Sequence, residues 1–385
     1  MADDAPQTSA SSPRAQPLTA VGDRTGNTVG RQFILLLPAV MVADHLATWA
    51  VTAKLSGVPL ATALAHLDSG WYGAIATQGY SGRAWAFFPL YPLLVRLLRL
   101  ATFGALPTQV AGAVLSTLLL AGFAAWVAAL ASRAEYTDAL LAPKTALGWF
   151  CFVYAPASFT LHTAHTEALF ALLSLAAFYF SARGAWPLAG SFAGLCAATR
   201  IQGFLVIPAV LAGAVAAGGT ARGRARNALA AAALALPIAS CWLAYQQART
   251  GSPFTFVGLQ AAWSHPTSTP GIYLGAFLLA NPWQNQNVGS ILHHAFVGAL
   301  AVALIPMRRR SLALWLYLIL SLLIMPLEGE FVNAFRYGTV LFPALFVLGD
   351  WLDRQPLSLR APVAACVVVL NHWVAVNYII NHWAY

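Results

Sequence analysis

Charge is what this sequence has least of. Only 9% of its 385 residues are Asp, Glu, Lys or Arg, against 59% hydrophobic, and the mean hydropathy is +0.68. Soluble domains carry roughly 25% charged residues, so a soluble fold of this length is excluded. Strict apolar/polar alternation is also missing, which excludes an outer-membrane barrel. Lipid satisfies no backbone hydrogen bonds, so the long apolar runs must cross a membrane as helices. Cysteine is scarce too. Cys151, Cys196, Cys241 and Cys366 each sit inside an apolar run with no paired spacing, which excludes zinc, iron-sulfur and disulfide frameworks and leaves them as core residues. No Gly-x-x-x-x-Gly-Lys-Ser/Thr loop, Asp-x-Asp pair or Gly-x-Ser-x-Gly elbow occurs.

What is present is a chain organised by apolar runs. Residues 1–31 are rich in Ala, Ser, Pro and Thr with charges of both signs, the composition of a disordered tail. Spans are expected over 33–53, 108–131, 145–161, 167–182, 186–200, 203–217, 227–246, 291–306, 311–326, 336–352 and 361–379, about eleven helices. The first is long enough to serve as an uncleaved anchor. The net charge of +9 falls in short clusters between runs, so it reports orientation rather than a nucleic-acid partner.

The run from Phe87 to Phe103 decides the topology. Counted as a span, it sets Arg133, Lys144, Arg183, Arg222, Arg224, Arg226, Arg308, Arg309, Arg310, Arg354 and Arg360 opposite the N-terminal arginines, against the positive-inside rule. Laid in the interface, it puts those eleven with Arg14, Arg24 and Arg31 on the cytoplasmic side, fourteen of the 21 basic residues. Arg96 and Arg99 then share one face of a surface-lying helix. The expected domain is therefore residues 32–385, with a first outer loop over 53–107 and a second over 247–290. The N-terminus is cytoplasmic and the site extracytoplasmic, in the bacterial plasma membrane.

That topology gathers the uncommon polar residues on the outer side. Asp68, in His66-Leu67-Asp68-Ser69-Gly70-Trp71-Tyr72, is an acid at the interface among aromatics. It reads as a general base, with Trp71, Tyr72 and Tyr80 able to stack on a sugar, or as a helix N-cap. His162-Thr163-Ala164-His165-Thr166-Glu167 can line a polar pocket for a phosphate or a sugar hydroxyl. It can also hold a divalent metal, or make ordinary hydrogen bonds at a helix start. Arg200, in Ala198-Thr199-Arg200-Ile201-Gln202-Gly203, sits at membrane depth at a cost of roughly 2.5–3.5 kcal/mol. It therefore requires an anionic ligand such as a lipid phosphate, or a pair with Glu167 or Glu330. Arg336, after Glu328 and Glu330, offers the same two readings. Asp44, beside His45 inside the first span, is a secondary functional candidate that a neighbouring His or backbone group can satisfy.

Several strings resemble those of PIG-V-like mannosyltransferases: Asp68-Ser69-Gly70-Trp71-Tyr72, Phe87-Phe88-Pro89-Leu90-Tyr91-Pro92, Thr166-Glu167-Ala168-Leu169-Phe170, Ala198-Thr199-Arg200, Gln260-Ala261-Ala262-Trp263 and Arg336-Tyr337. They run in family order over about residues 32–350. The chain departs from the family at His66-Leu67, where Arg-Trp is common, and at His165. The resemblance implies the all-α GT-C glycosyltransferase fold, Asp68 as catalytic acid/base residue, and a mannose donor on polyprenyl phosphate. An Ala-, Arg- and Gly-rich composition points to a bacterium, where the acceptor is a glycolipid or glycan other than the GPI anchor that eukaryotic members modify.

With no nucleotide-binding motif, the energy for transfer has to come from the substrate. A polyprenyl phosphosugar fits, since phosphate is its leaving group and its tail explains the membrane. The expected reaction is inverting: Asp68 deprotonates an acceptor hydroxyl that attacks the anomeric carbon and yields an alpha-mannoside. Arg200, Arg336, His165, Arg96 and Arg99 are the expected donor-phosphate ligands. Glu167, Trp71, Tyr72, Gln260, Trp263 and Tyr337 are the expected substrate contacts, with Tyr273 and Trp283 as further acceptor-side aromatics. No cofactor is called for, and a divalent metal is permitted but not indicated. The expected partners are the donor, a lipid-linked or glycan acceptor and membrane lipids. The rival readings are a transferase for another polyprenyl-phosphate sugar, a membrane lipid or solute transporter, and a non-catalytic subunit of a glycosylation complex.

Overall fold

The computed structural model describes residues 30–260, 288–325 and 333–382, and among these all regular structure is helical. The first helix, α1 (Arg31–Ser56), ends where Gly57 adopts a left-handed φ of 73°, a conformation open to glycine at little cost. Short α2 (Leu60–Ala63), then α3 (Asp68–Gln78), a 3₁₀ turn (Gly82–Ala86) and α4 (Leu90–Ala101) lead to α5 (Thr108–Ala131). Further on come α6 (Ala134–Asp138), α7 (Ala146–Val153), a second 3₁₀ turn (Ser158–Leu161), α8 (Glu167–Ala182), α9 (Trp186–Ala197), α10 (Gly203–Ala216), α11 (Ala221–Thr250) and α12 (Thr255–Gln260). The last five are α13 (Val288–Met307), α14 (Leu312–Ile324), α15 (Ala334–Thr339), α16 (Phe342–Leu352) and α17 (Leu357–Ile379).

All eleven expected spans coincide with helix, but two are broken. The run 145–161 is helical only to Val153, after which irregular backbone and a 3₁₀ turn continue. The run 336–352 divides between α15 and α16. Four helices, α1, α5, α11 and α17, are long and apolar enough to cross a membrane by length and composition. The irregular segment after α7 is buried throughout from Phe152 to Phe170. Non-helical backbone at membrane depth is tolerated only when protein surrounds it in this way.

α4 has 12 residues, about 18 Å of helix against a hydrocarbon core of about 30 Å. It buries Tyr91, Pro92 and Val95 and exposes Leu93, Arg96, Leu97 and Leu100. The helices on either side of it constrain its placement. A groove between α1 and α5 is lined at one end by Leu46 and Trp49 with Val110 and Val114. At its other end lie Leu35 and Pro38 with Leu120 and Ala124. α1 and α5 therefore run antiparallel, as successive spans do, and everything between them returns to one side of the bundle.

Small residues set the closest helix contacts. Gly190 and Gly194 of α9 lie against the carbonyls of Ala231 and Ala235 on α11, where an added Cβ would stand 2.0 and 2.8 Å away. This is the small-xxx-small packing of membrane helices. Gly203, where a Cβ would lie 1.8 Å from the Cys196 carbonyl oxygen, allows α10 to double back on α9. The tight turn that results carries Arg200.

Candidate functional site

Four charged side chains from four distant segments meet at one end of the bundle. Asp68 is the first residue of α3, whose N-cap position belongs to Leu67, and its side chain is 24% exposed. Glu167 opens α8 and is fully buried. Arg200 lies on the α9–α10 turn and Arg336 on α15, both buried. The Arg336 guanidinium pairs with both carboxylates, Asp68 and Glu167. Its remaining nitrogen donates to the Tyr72 hydroxyl at 3.3 Å. Arg200 donates to the same Glu167 oxygen at 2.7 Å, and its guanidinium lies over the rings of Tyr337 (5.0 Å) and Phe170 (5.5 Å). Among the described residues two acids and two guanidiniums thus form one network in which every charge meets an opposite one, as buried ions require. Only Asp68 within it reaches the surface.

The structure separates the two histidines of the 162–167 segment. Thr163 Oγ1 donates to the Phe159 carbonyl at 3.0 Å, and a hydroxyl has one proton, so it accepts from His165 Nδ1, 2.8 Å away. The ring therefore carries a proton on Nδ1. Burial, reinforced by Arg336, holds His165 down at about 4 and hence neutral. His162 turns to His45 instead, 2.8 Å away, so the pair does not form a chelate. Among the described residues no three His, Cys, Asp or Glu side chains converge as metal ligands.

Other expected contacts are placed differently. Tyr72 is buried, with Phe87 and Tyr91 edge-on at 5.3 Å each. Burial, partly offset by Arg336, pushes its phenol up to about 12. Tyr72 is therefore a neutral ligand of Arg336 rather than an open stacking face. Trp71 has one face on Phe87, 5.6 Å away and 19° from parallel. Tyr80 stacks on Trp85 at 4.8 Å. Arg99 donates to the Leu106 carbonyl at 3.4 Å, and among the described residues neither it nor Arg96 joins the network by a hydrogen bond or ion pair. Trp263, Tyr273, Trp283, Glu328, Glu330 and the Gln260 side chain lie outside the described residues.

The network has a support that the sequence reading missed. The Ser69 hydroxyl bonds the carbonyls of Leu64 (2.7 Å) and His66 (2.6 Å) and the hydroxyl of Tyr378 (3.1 Å). His66 Nδ1 donates to the Tyr378 carbonyl at 3.1 Å. The end of α17 therefore holds the loop that presents Asp68. Asp44 pairs with His372, 3.0 Å away, while its neighbour His45 turns to Asn371 at 2.6 Å. The signal was two polar doublets in apolar runs, Asp44-His45 and Asn371-His372, which answer each other across α1 and α17.

The mannosyltransferase (PIG-V) family model matches residues 45–220, a stretch that includes Asp68, Glu167 and Arg200. The fold is similar to that of ArnT from Cupriavidus metallidurans bound to undecaprenyl phosphate, with 18% identity and a TM-score of 0.51 over 85% of this chain. This chain spans 63% of that ArnT chain. The apo state of the same ArnT matches at 16% identity and a TM-score of 0.49, over 89% of this chain and 69% of the other. No curated protein matches the chain. Residues 45–220 thus resemble the PIG-V mannosyltransferases, and the described helices share their arrangement with ArnT.

Proposed function

We propose that the protein is an inverting membrane mannosyltransferase. It moves mannose from a polyprenyl-phosphate-mannose to a hydroxyl of a glycolipid or glycan on the extracytoplasmic face, forming an alpha-mannoside. The observation that carries this reading is the network itself: a part-exposed carboxylate, Asp68, paired with the buried Arg336, which Glu167 joins to a second buried guanidinium, Arg200. A base beside a phosphate-binding pair is what transfer from a phosphosugar needs.

In this mechanism the donor phosphate docks against Arg336 and Arg200. The Arg200 Nε has no hydrogen-bond partner among the described residues, so it keeps a donor for the anion. Once phosphate shares Arg336, Asp68 is the carboxylate placed to take the acceptor's proton. The hydroxyl attacks the anomeric carbon opposite the phosphate, which leaves with the bonding electron pair onto the two guanidiniums. Glu167 meets no substrate here. It fixes the angle between the arginines. His165, neutral beside the network, serves the donor's sugar rather than its phosphate.

Support for a polyprenyl-phosphate donor comes from the structurally similar ArnT, which binds undecaprenyl phosphate. The test is mannose transfer from labelled polyprenyl phosphomannose into a membrane-lipid extract, wild type beside Asp68→Asn. Loss in the variant, with donor still bound, is the expected result. Equal transfer by both would overturn the role of Asp68. Transfer only from another polyprenyl sugar would overturn the choice of mannose.

A further inference from the structure

A hydrogen-bonded chain runs through the interior from the last helix to the segment that carries Glu167, and none of its members touches the charged network. Asn371 Nδ2 donates to the Ala155 carbonyl and to Ser158 Oγ, each at 2.8 Å. Those two acceptors fix the amide, so its Oδ1 is the atom facing His45 Nε2 at 2.6 Å. An amide oxygen only accepts, so His45 carries its proton on Nε2. A neutral His45 then has a bare Nδ1, and His162 Nε2, 2.8 Å away, must be the donor to it. Each step forces the next. Asn371, His45 and His162 are all buried; the His45 ring stacks on His162 at 5.1 Å and on Trp49 at 5.9 Å, and His162 lies tilted against Trp49 at 5.1 Å.

The far end of the chain is the segment from Ala155 to Thr166, where turn-type backbone bonds and one 3₁₀ turn replace an α-helical ladder and side-chain bonds tie the backbone to its neighbours. The same segment holds Thr163 under His165, receives Ser116 Oγ on the His165 carbonyl at 3.1 Å, and donates from Ala157 N to Thr339 Oγ1 at 3.3 Å on the helix of Arg336. It ends at Glu167, whose carboxylate sets both guanidiniums.

We infer that His45 and Asn371 are positioning residues for the transfer reaction: their one-directional hydrogen-bond chain through His162 fixes the 155–166 segment, and with it Glu167 and the two phosphate-binding arginines. The inference rests on the proposed function for the reaction it serves. Asn371 and the rest of α17 lie outside the stretch matched by the family model.

The experiment has two arms. In the first, kcat is measured per folded molecule well below the unfolding midpoint for wild type, His45→Phe and His45→Gln. Phenylalanine keeps the stack and removes both bonds, whereas glutamine keeps one donor and one acceptor. His45→Phe is expected to lose about 10- to 100-fold in kcat, the cost of a misplaced reacting geometry, and His45→Gln to recover most of it. A purely structural role would lower the unfolding midpoint and leave kcat per folded molecule unchanged, and that result would overturn the inference. So would a glutamine variant as impaired as the phenylalanine one.

The second arm reads the wild-type protein without substrate and therefore stands if His45→Phe does not fold. Nitrogen NMR of histidine-labelled protein should show His45, assigned by its loss in His45→Gln, protonated on Nε2 alone. A proton on Nδ1, or on both nitrogens, would break the chain and overturn the inference. Wild-type protein that transfers no mannose would count against the proposed function alone.

Discussion

At the residue scale the site is governed by how few charges the chain has and how completely they are paired. Glu167 serves two guanidiniums, so neutralising it takes from Arg200 its acid and leaves Arg336 with Asp68 alone. Glu167→Gln should cost about 3–5 kcal/mol, the usual penalty for breaking a buried ion pair, together with transfer activity. Thermal unfolding in detergent beside Glu135→Gln, an exposed acid of α6, checks it. His165 gives a pH prediction. Its pKa is lowered from 6.5 to about 4, so between those values the unfolded chain binds a proton that the folded chain does not. Its contribution to stability is complete above pH 6.5 and is lost as the pH falls from there toward 4. The unfolding midpoint of the wild type should fall over that window more steeply than that of His165→Gln. Equal slopes would mean that His165 is charged in the folded protein. Asp68, Glu167, Arg200 and Arg336 were legible from sequence because a charge at the end of an apolar run needs a reason. Their pairing was not, since Asp68 and Arg336 are 268 residues apart and nothing local specifies which acid meets which base.

At the element scale, turns rather than helices place the chemistry. The α9–α10 turn brings Arg200 inward because Gly203 lets the backbone pass the Cys196 carbonyl. A methyl group there has nowhere to go, since the obstacle is backbone. Gly203→Ala should shift Arg200, weaken donor binding and lower the unfolding midpoint, whereas Gly219→Ala, where nothing lies within 4 Å, should change neither. Binding of a fluorescent polyprenyl phosphate by the two variants separates them. Hydropathy located the helices well, because a run of apolar residues in a membrane has one regular structure available to it. It failed where the chain leaves the helix inside protein. The stretch after Val153 reads as a continuing span, yet its backbone bonds to Thr339, and Asn371 donates to the Ala155 carbonyl within it. Composition carries no trace of partners that distant.

At the scale of the whole molecule, the charged network is itself a test of topology. Asp68, Glu167, Arg200 and Arg336 were each assigned to the outer side by counting spans from the N-terminus. Direct contact puts all four at one end of the bundle, with no hydrocarbon core of about 30 Å between any two of them. The ends of the chain agree. His45 bonds Asn371, and four residues further on in both helices Trp49 Nε1 donates to the Ala375 carbonyl at 3.2 Å. α1 and α17 therefore run parallel, which requires an odd number of crossings. Any odd count satisfies this, eleven among them. The sidedness has its own prediction. Ser132, just past α5, should face the cytoplasm, and Ser252, just past α11, should face outward. In a background with the exposed Cys241 and Cys366 replaced, an impermeant thiol reagent added to intact cells should label Ser252→Cys and spare Ser132→Cys. Labelling of Ser132→Cys alone would invert the protein in the membrane and move the network, with the reaction proposed for it, to the cytoplasmic face.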